Sequence, residues 1–229
     1  MGPGLLGPSL ACALAALAAV AACGRAPVEP AAAREPAAPA ASTTKIVFLG
    51  DSLTAGYGLT ASEAYPSLLQ ERLRSAGLAV DVVNAGVSGD TSAGGLRRLD
   101  WAMEGDVSVL VVALGGNDAL RGLSTEDLRR NLAAIIERAR QRNVTVILAG
   151  MEAPPNLGRA YTSAFRHVYR DLAAAYRVAL IPFLLEGVAG RPALNQADFI
   201  HPNAAGAKKV ADLVWPYIER AVREAGRDD

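Results

Sequence analysis

The sequence predicts an α/β protein built on a parallel β-sheet with helices on both faces. From Lys45 onward, short runs rich in β-branched residues alternate with longer amphipathic stretches. The run 107–113, Val-Ser-Val-Leu-Val-Val-Ala, is apolar at both alternating sets of positions, as a strand covered on both faces must be. Near the C-terminus Val210, Leu213, Val214, Tyr217 and Ile218 share one helical stripe, which supplies a covering helix.

The N-terminus reads as an export leader. Residues 1–22 carry no charged side chain, and the apolar stretch from Leu10 to Ala22 is shorter than the ~20 residues of a membrane-spanning helix. Val20-Ala21-Ala22-Cys23 resembles the lipobox of bacterial lipoproteins, in which the cysteine thiol receives diacylglycerol, although the segment before Leu10 lacks the usual Lys or Arg. The expectation is an exported, periplasmic chain held to a membrane only by lipid on Cys23. Residues 23–44 then form an Ala/Pro-rich tether with four prolines after the cysteine, too poor in large apolar residues to build a core. The folded domain is expected over 45–229, about 180 residues and ample for one core.

Within that domain the β-branched runs place strands at 45–49, 79–84, 107–113, 144–149 and 178–183. Thr60 with Glu63 and Ser124 with Asp127 are spaced as capping pairs, Gly77 stops the first helix, and the last helix starts near Ala204. No internal repeat interrupts the pattern.

Charge and cysteine content narrow the function. Lys plus Arg and Asp plus Glu both total 23, so no net charge recommends nucleic acid as a partner. The only cysteines, Cys12 and Cys23, precede the domain, which excludes disulfides and cysteine metal sites within it.

Two segments carry the chemistry. Gly50-Asp51-Ser52-Leu53 follows the apolar run 46–49, so Ser52 is expected where a buried strand ends and a helix begins, its hydroxyl facing solvent. In Asp198-Phe199-Ile200-His201-Pro202 the carboxylate precedes the imidazole by three residues, a spacing that suits an Asp orienting its own His. Together they supply a nucleophile and its base. The main-chain amides of Ser52 and Gly89 and the side-chain amide of Asn117, all after strand ends, offer donors for a developing oxyanion.

Taken singly, each residue has a plainer reading. Ser52 could cap a helix, Asn117 could be a turn residue, and Asp198 with His201 could cap the final helix. Asp51 and Asp118 are expected to brace loops, and His167 to lie on a helix face. Trp101, Tyr161 and Tyr65 are expected to pack. Leu120, Leu123, Pro154 and Leu157 are candidates for either the cleft wall or the interior.

Gly50-Asp51-Ser52-Leu53, Gly89 in Val-Ser-Gly-Asp-Thr, Gly115-Gly116-Asn117-Asp118 and Asp198-x-x-His201-Pro202 resemble, in order, the four blocks of the SGNH, or GDSL, hydrolases. The resemblance spans about residues 45 to 220 and is nearest the branch of periplasmic thioesterases, lysophospholipases and arylesterases. It implies a flavodoxin-like, three-layer α/β/α fold on a five-stranded parallel sheet. It also implies Ser52 as nucleophile, His201 as base, Asp198 as its orienter, and Ser52, Gly89 and Asn117 as the oxyanion hole, with no metal or other cofactor. A small-molecule ester or thioester is the expected substrate, and the chain is expected to be a monomer.

Two rivals follow from the same residues: a carbohydrate O-acetylesterase of the same fold, and a flavodoxin-like module whose Ser52, Thr54 and loop glycines cradle a phosphate or flavin. The second leaves Asp198 and His201 idle. An inert tethered interaction protein leaves the whole site idle. With short strand-to-helix connections and no stretch long enough for a separate lid, a shallow cleft favouring short to medium acyl groups is expected.

Overall fold

The computed structural model describes residues 44–225; the expected leader, Cys23 and the tether up to residue 43 lie outside them. Five strands, β1 (Thr44–Gly50), β2 (Val80–Gly86), β3 (Val109–Ala113), β4 (Thr145–Ala149) and β5 (Ala179–Ile181), pair in parallel in the order 2-1-3-4-5. The connections are helical: α1 (Ser52–Ala55), α2 (Tyr65–Ser75), α3 (Ser92–Arg97), α4 (Leu99–Ala102), α5 (Gly116–Leu120), α6 (Thr125–Gln141) and α7 (Arg159–Tyr176), with α8 (Ala204–Ala225) last. Helix α2 packs with α8, whereas α3, α6 and α7 pack in succession, so the expected α/β/α layering holds. No helix of the described residues is long and apolar enough to cross a membrane.

The central strand shows why the sheet must be covered. Every residue of β3 is buried, and Val109, Leu110, Val111 and Val112 are wholly so. Burying such side chains is worth ~1.5–3 kcal/mol each, and both faces contribute. Helix α6 meets the sheet with Leu128, Leu132, Ile135, Ile136 and Ala139. Helix α8 uses Val210, Val214 and Ile218 as expected and extends the stripe through Ala221 and Val222, while Leu213 and Tyr217 are partly buried at its border.

The caps are where the sequence placed them, with one shift. Ser124 accepts hydrogen bonds from the amides of Glu126 and Asp127 and so starts α6. Glu63 accepts from the Thr60 amide and hydroxyl, but this pair closes a short 3₁₀ turn, Ala61–Glu63. Helix α2 begins after it, with Pro66 in its first turn, where a missing N–H costs nothing. Gly77 follows the end of α2 with φ +71°, although α2 is the second helix rather than the first.

Strand ends depart from expectation for identifiable reasons. β5 stops at Ile181 because Pro182 brings no N–H to the ladder. β2 runs two residues beyond its expected end, to Gly86, which pairs with Gly50 of β1. Gly86 is required there because α1 passes directly over it: a Cβ would lie 2.2 Å from the Ala55 nitrogen. Trp101 corrects the packing expectation, being 64% exposed, because α4 turns Leu99 and Ala102 to the core and leaves Trp101 outside. Tyr65 is buried and hydrogen-bonds Thr54, and Tyr161 donates to the Leu123 carbonyl while stacking on Phe165.

Candidate active site

The strand order reverses between β1 and β3, and three of the four sequence blocks follow the carboxyl ends of β1, β2 and β3, while the Asp198–His201 block comes from the segment before α8. Ser52 is the first residue of α1, immediately beyond β1. Its Oγ lies 2.9 Å from Nε2 of His201, and Nδ1 of that imidazole lies 2.6 Å from Oδ2 of Asp198. With the Nδ1 proton directed to the carboxylate, Nε2 is left as the acceptor for the serine proton. The three residues therefore form one continuous hydrogen-bonded relay.

The local folding of each segment frees these side chains for one another. Asp51, not Ser52, caps α1 by accepting from the Leu53 amide, so the serine hydroxyl is not spent on the helix. Asn203, not Asp198 or His201, accepts from the Gly206 amide in the first turn of α8. The Asp198–His201 loop is closed by a bridge between Asn195 and Pro202 and by the Gln196 amide donating to the His201 carbonyl. Within it Phe199 adopts φ +59°, the left-handed conformation that lets Asp198 Oδ1 accept from both the Ile200 and His201 amides.

Those bonds set the charge. The hydrogen bond from the His201 side chain, then those from the His201 and Ile200 amides, hold the Asp198 carboxyl down at about 2. Asp198 is thus an anion wherever the imidazole can take up a proton. Asp51 behaves oppositely: burial pushes its carboxyl up to about 6, against the Leu53 amide, the nearby His201 and the Asn117 amide, which favour the anion.

Ser52, Gly89, Asn117 and His201 all line one cleft of about 610 Å³, so the residues expected to act together stand around one space. Gly89 has φ +85°. Nδ2 of Asn117 donates to the Asp90 carbonyl at 2.9 Å and lies 3.3 Å from Asp51 Oδ2. Asp118 turns away and accepts from the amide and hydroxyl of Ser92, bracing α3 as expected. Of the four wall candidates, Leu120 and Pro154 line the cleft, whereas Leu123 and Leu157 do not. His167 is exposed on α7, with Nδ1 held by the Ser163 carbonyl. A larger hollow, about 1040 Å³, lies between the second half of α8 and the beginnings of β4 and β5, but no serine or histidine lines it.

Sequence reasoning missed two contributors. The ring of Tyr57 lies 4.7 Å from that of His201, and Gln196 donates to the Tyr57 and Pro202 carbonyls, fastening the loop after α1 to the histidine loop. Arg98 joins three main-chain segments behind the cleft. Neither has a sequence signature: Tyr57 meets a ring face, and Arg98 combines the Asp90 carboxylate with the Ala85 and Gly50 carbonyls.

The profile of the GDSL-like lipase/acylhydrolase family matches residues 48–209. The chain is 45% identical over 180 residues to the esterase TesA of Pseudomonas aeruginosa, an alignment covering 78% of this chain and 90% of that protein. It is 39% identical over 184 residues to the thioesterase 1/protease 1/lysophospholipase L1 of Escherichia coli strain K12, covering 80% and 87%. Among solved structures, the psychrotrophic esterase EstA from Pseudoalteromonas sp., inhibited by monoethylphosphonate, superposes with a TM-score of 0.75 at 31% identity, covering 79% of this chain and 99% of that one.

Asp51 gives a pH prediction. Unfolded, its carboxyl ionises near 3.8; folded, near 6, so between these values the folded chain holds more proton and stability falls as pH rises. Over that window the loss from this one group is about 3 kcal/mol. Asp198 acts in the opposite sense and lower down: its contribution is present above its unfolded value and is lost as pH falls toward about 2. Asp51→Asn is expected to flatten the decline between about pH 4 and 6 in urea-unfolding stability. The same slope in the variant would contradict this assignment.

Proposed function

Because the chain belongs to the GDSL-like lipase/acylhydrolase family and is a serine esterase of that family, we propose that Ser52 is its nucleophile, His201 the general base and Asp198 the residue that orients the imidazole. The observation that carries this reading is the relay itself, 2.9 Å from Ser52 Oγ to Nε2 and 2.6 Å from Nδ1 to Asp198. His201 removes the hydroxyl proton as Oγ bonds to the acyl carbon. The carbonyl oxygen becomes an oxyanion held by the amides of Ser52 and Gly89 and the side-chain amide of Asn117. His201 then protonates the leaving alcohol or thiol as its bond to carbon breaks, and water activated by the same imidazole releases the acid from Ser52. Asp198, kept anionic by its hydrogen bonds, stabilises the imidazolium in both halves.

The cleft favours an apolar acyl group. Leu120, Met151, Pro154, Phe183, Phe199 and Ile200 line it around the serine, a wall better suited to hydrocarbon than to the hydroxyls of a sugar. This supports aryl esters and thioesters of short to medium chain over a carbohydrate acetyl group. A phosphate- or flavin-binding role would leave the relay without a purpose. Upstream, we propose export and lipid attachment at Cys23, with the enzyme acting in the periplasm as a tethered monomer. An intact mass for the mature chain showing unmodified Cys23, or a start after it, would remove the anchor.

Ser52→Ala is expected to leave the fold intact and to lower turnover of aryl esters by about 10⁴-fold or more. Near-normal turnover in the variant would remove the nucleophile assignment. Across esters of increasing acyl length, kcat/KM is expected to rise, each buried methylene adding up to ~0.8 kcal/mol, and then level off or fall where the wall ends. A continuous rise through long-chain substrates would show a deeper acyl site than this one.

A further inference from the structure

We propose that Arg98 is a positioning residue for the oxyanion-binding side of the cleft, acting through Asp90 on Asn117 and Gly89; this rests on the oxyanion roles given above. Arg98 stands where α3 ends and α4 begins, with its side chain 16% exposed. Its Nε donates to Asp90 Oδ2 at 2.6 Å, Nη1 to the Ala85 carbonyl at 2.7 Å and Nη2 to the Gly50 carbonyl at 2.8 Å. One planar group thus holds the end of β1 just before Asp51 and Ser52, the end of β2, and the loop that carries Gly89. A lysine ammonium has neither the reach nor the fixed fork to serve all three.

The link to catalysis runs through Asp90. Its main-chain carbonyl accepts from Asn117 Nδ2 at 2.9 Å. The two hydrogens of that amide lie in one plane, and the other one rests on Asp51 Oδ2 through a longer bond of 3.3 Å, so the Asp90 carbonyl sets the plane and the hydrogen beside Asp51 is the one released to an oxyanion. Gly89 precedes Asp90, whose amide donates to the Val87 carbonyl at 3.1 Å, so the turn that carries the Gly89 amide is closed onto the same anchored residue. Asp90 is itself tightly seated: a Cβ on Gly94 would come within 2.4 Å of its carboxylate. Arg121 adds a second restraint from the solvent side by donating to the Gly89 carbonyl at 2.7 Å. Arg98 touches neither nucleophile nor substrate, so loss of its pull should misalign transition-state donors and spare ground-state binding.

A double-mutant cycle in the full-length chain separates positioning from simple bracing. Asn117→Ala alone is expected to lower kcat by about 10²–10³-fold. Arg98→Met is expected to lower kcat by about 10–50-fold with KM changed less than about threefold, and to cost less than about threefold more when added to Asn117→Ala. Arg98→Lys should fall between wild type and Arg98→Met. If Arg98→Met does not fold, Asp90→Asn, which keeps the side-chain oxygen but loses the charge, takes its place in the cycle with the same sub-additive expectation. An equal fold loss on both backgrounds would make Arg98 a structural brace and overturn the inference while leaving the active-site reading intact. An unimpaired Asn117→Ala enzyme would instead remove the oxyanion reading, and this inference with it.

Discussion

Covering a parallel sheet on both faces confines its reactive side chains to the strand ends, and in this chain three of those ends must also lie almost in contact. β1 and β2 stay paired to their final glycines, and α1 crosses close above Gly86, so the turn bearing Ser52 has little freedom of direction. Asn84 at the end of β2 donates to the Thr54 carbonyl, and the Thr54 hydroxyl meets that of Tyr65 in the buried layer below. Ser52 is therefore fixed by strand pairing, a glycine contact and buried hydrogen bonds, all of which also close the core. The hydrolytic site inherits its order from the constraint that stabilises the fold.

A second economy concerns the helix ends. Helices need their first amides satisfied, and the nearest polar side chains are also those chemistry would use. Asp51 takes the Leu53 amide of α1 and Asn203 the Gly206 amide of α8, so Ser52, Asp198 and His201 retain their hydrogen-bonding capacity for one another. Asp51 serves twice, because its buried carboxylate also lies 3.3 Å from the amide of Asn117. Its raised affinity for a proton is the electrostatic cost of that placement.

Much of this was legible from residues. Ser52 after an apolar run, the three-residue spacing of Asp198 and His201, and Asn117 after β3 are each local patterns with a chemical meaning, and their order along the chain matched one architecture. The stripe of the last helix was equally readable, since α8 buries Val210, Val214 and Ile218 and sets Leu213 and Tyr217 at its border. What stayed hidden depends on partners without sequence identity. Arg98 binds two main-chain carbonyls besides the Asp90 carboxylate, Tyr57 lies on an imidazole ring, and the glycine at 86 answers to a helix crossing above it. Trp101 misled because a large aromatic in a short helix suggests burial, whereas four residues can turn only part of their surface inward.

Among the described residues, Ser52 is the hydroxyl that has a hydrogen-bonded imidazole with a carboxylate behind it in a cleft. The most direct test is covalent trapping: incubation with an activated aryl phosphonate ester, followed by peptide mapping by mass spectrometry. One phosphonyl adduct is expected, on Ser52, formed in parallel with loss of esterase activity and strongly slowed by His201→Ala. Inactivation with the label on another residue, or labelling of Ser52 at the same rate without His201, would contradict it.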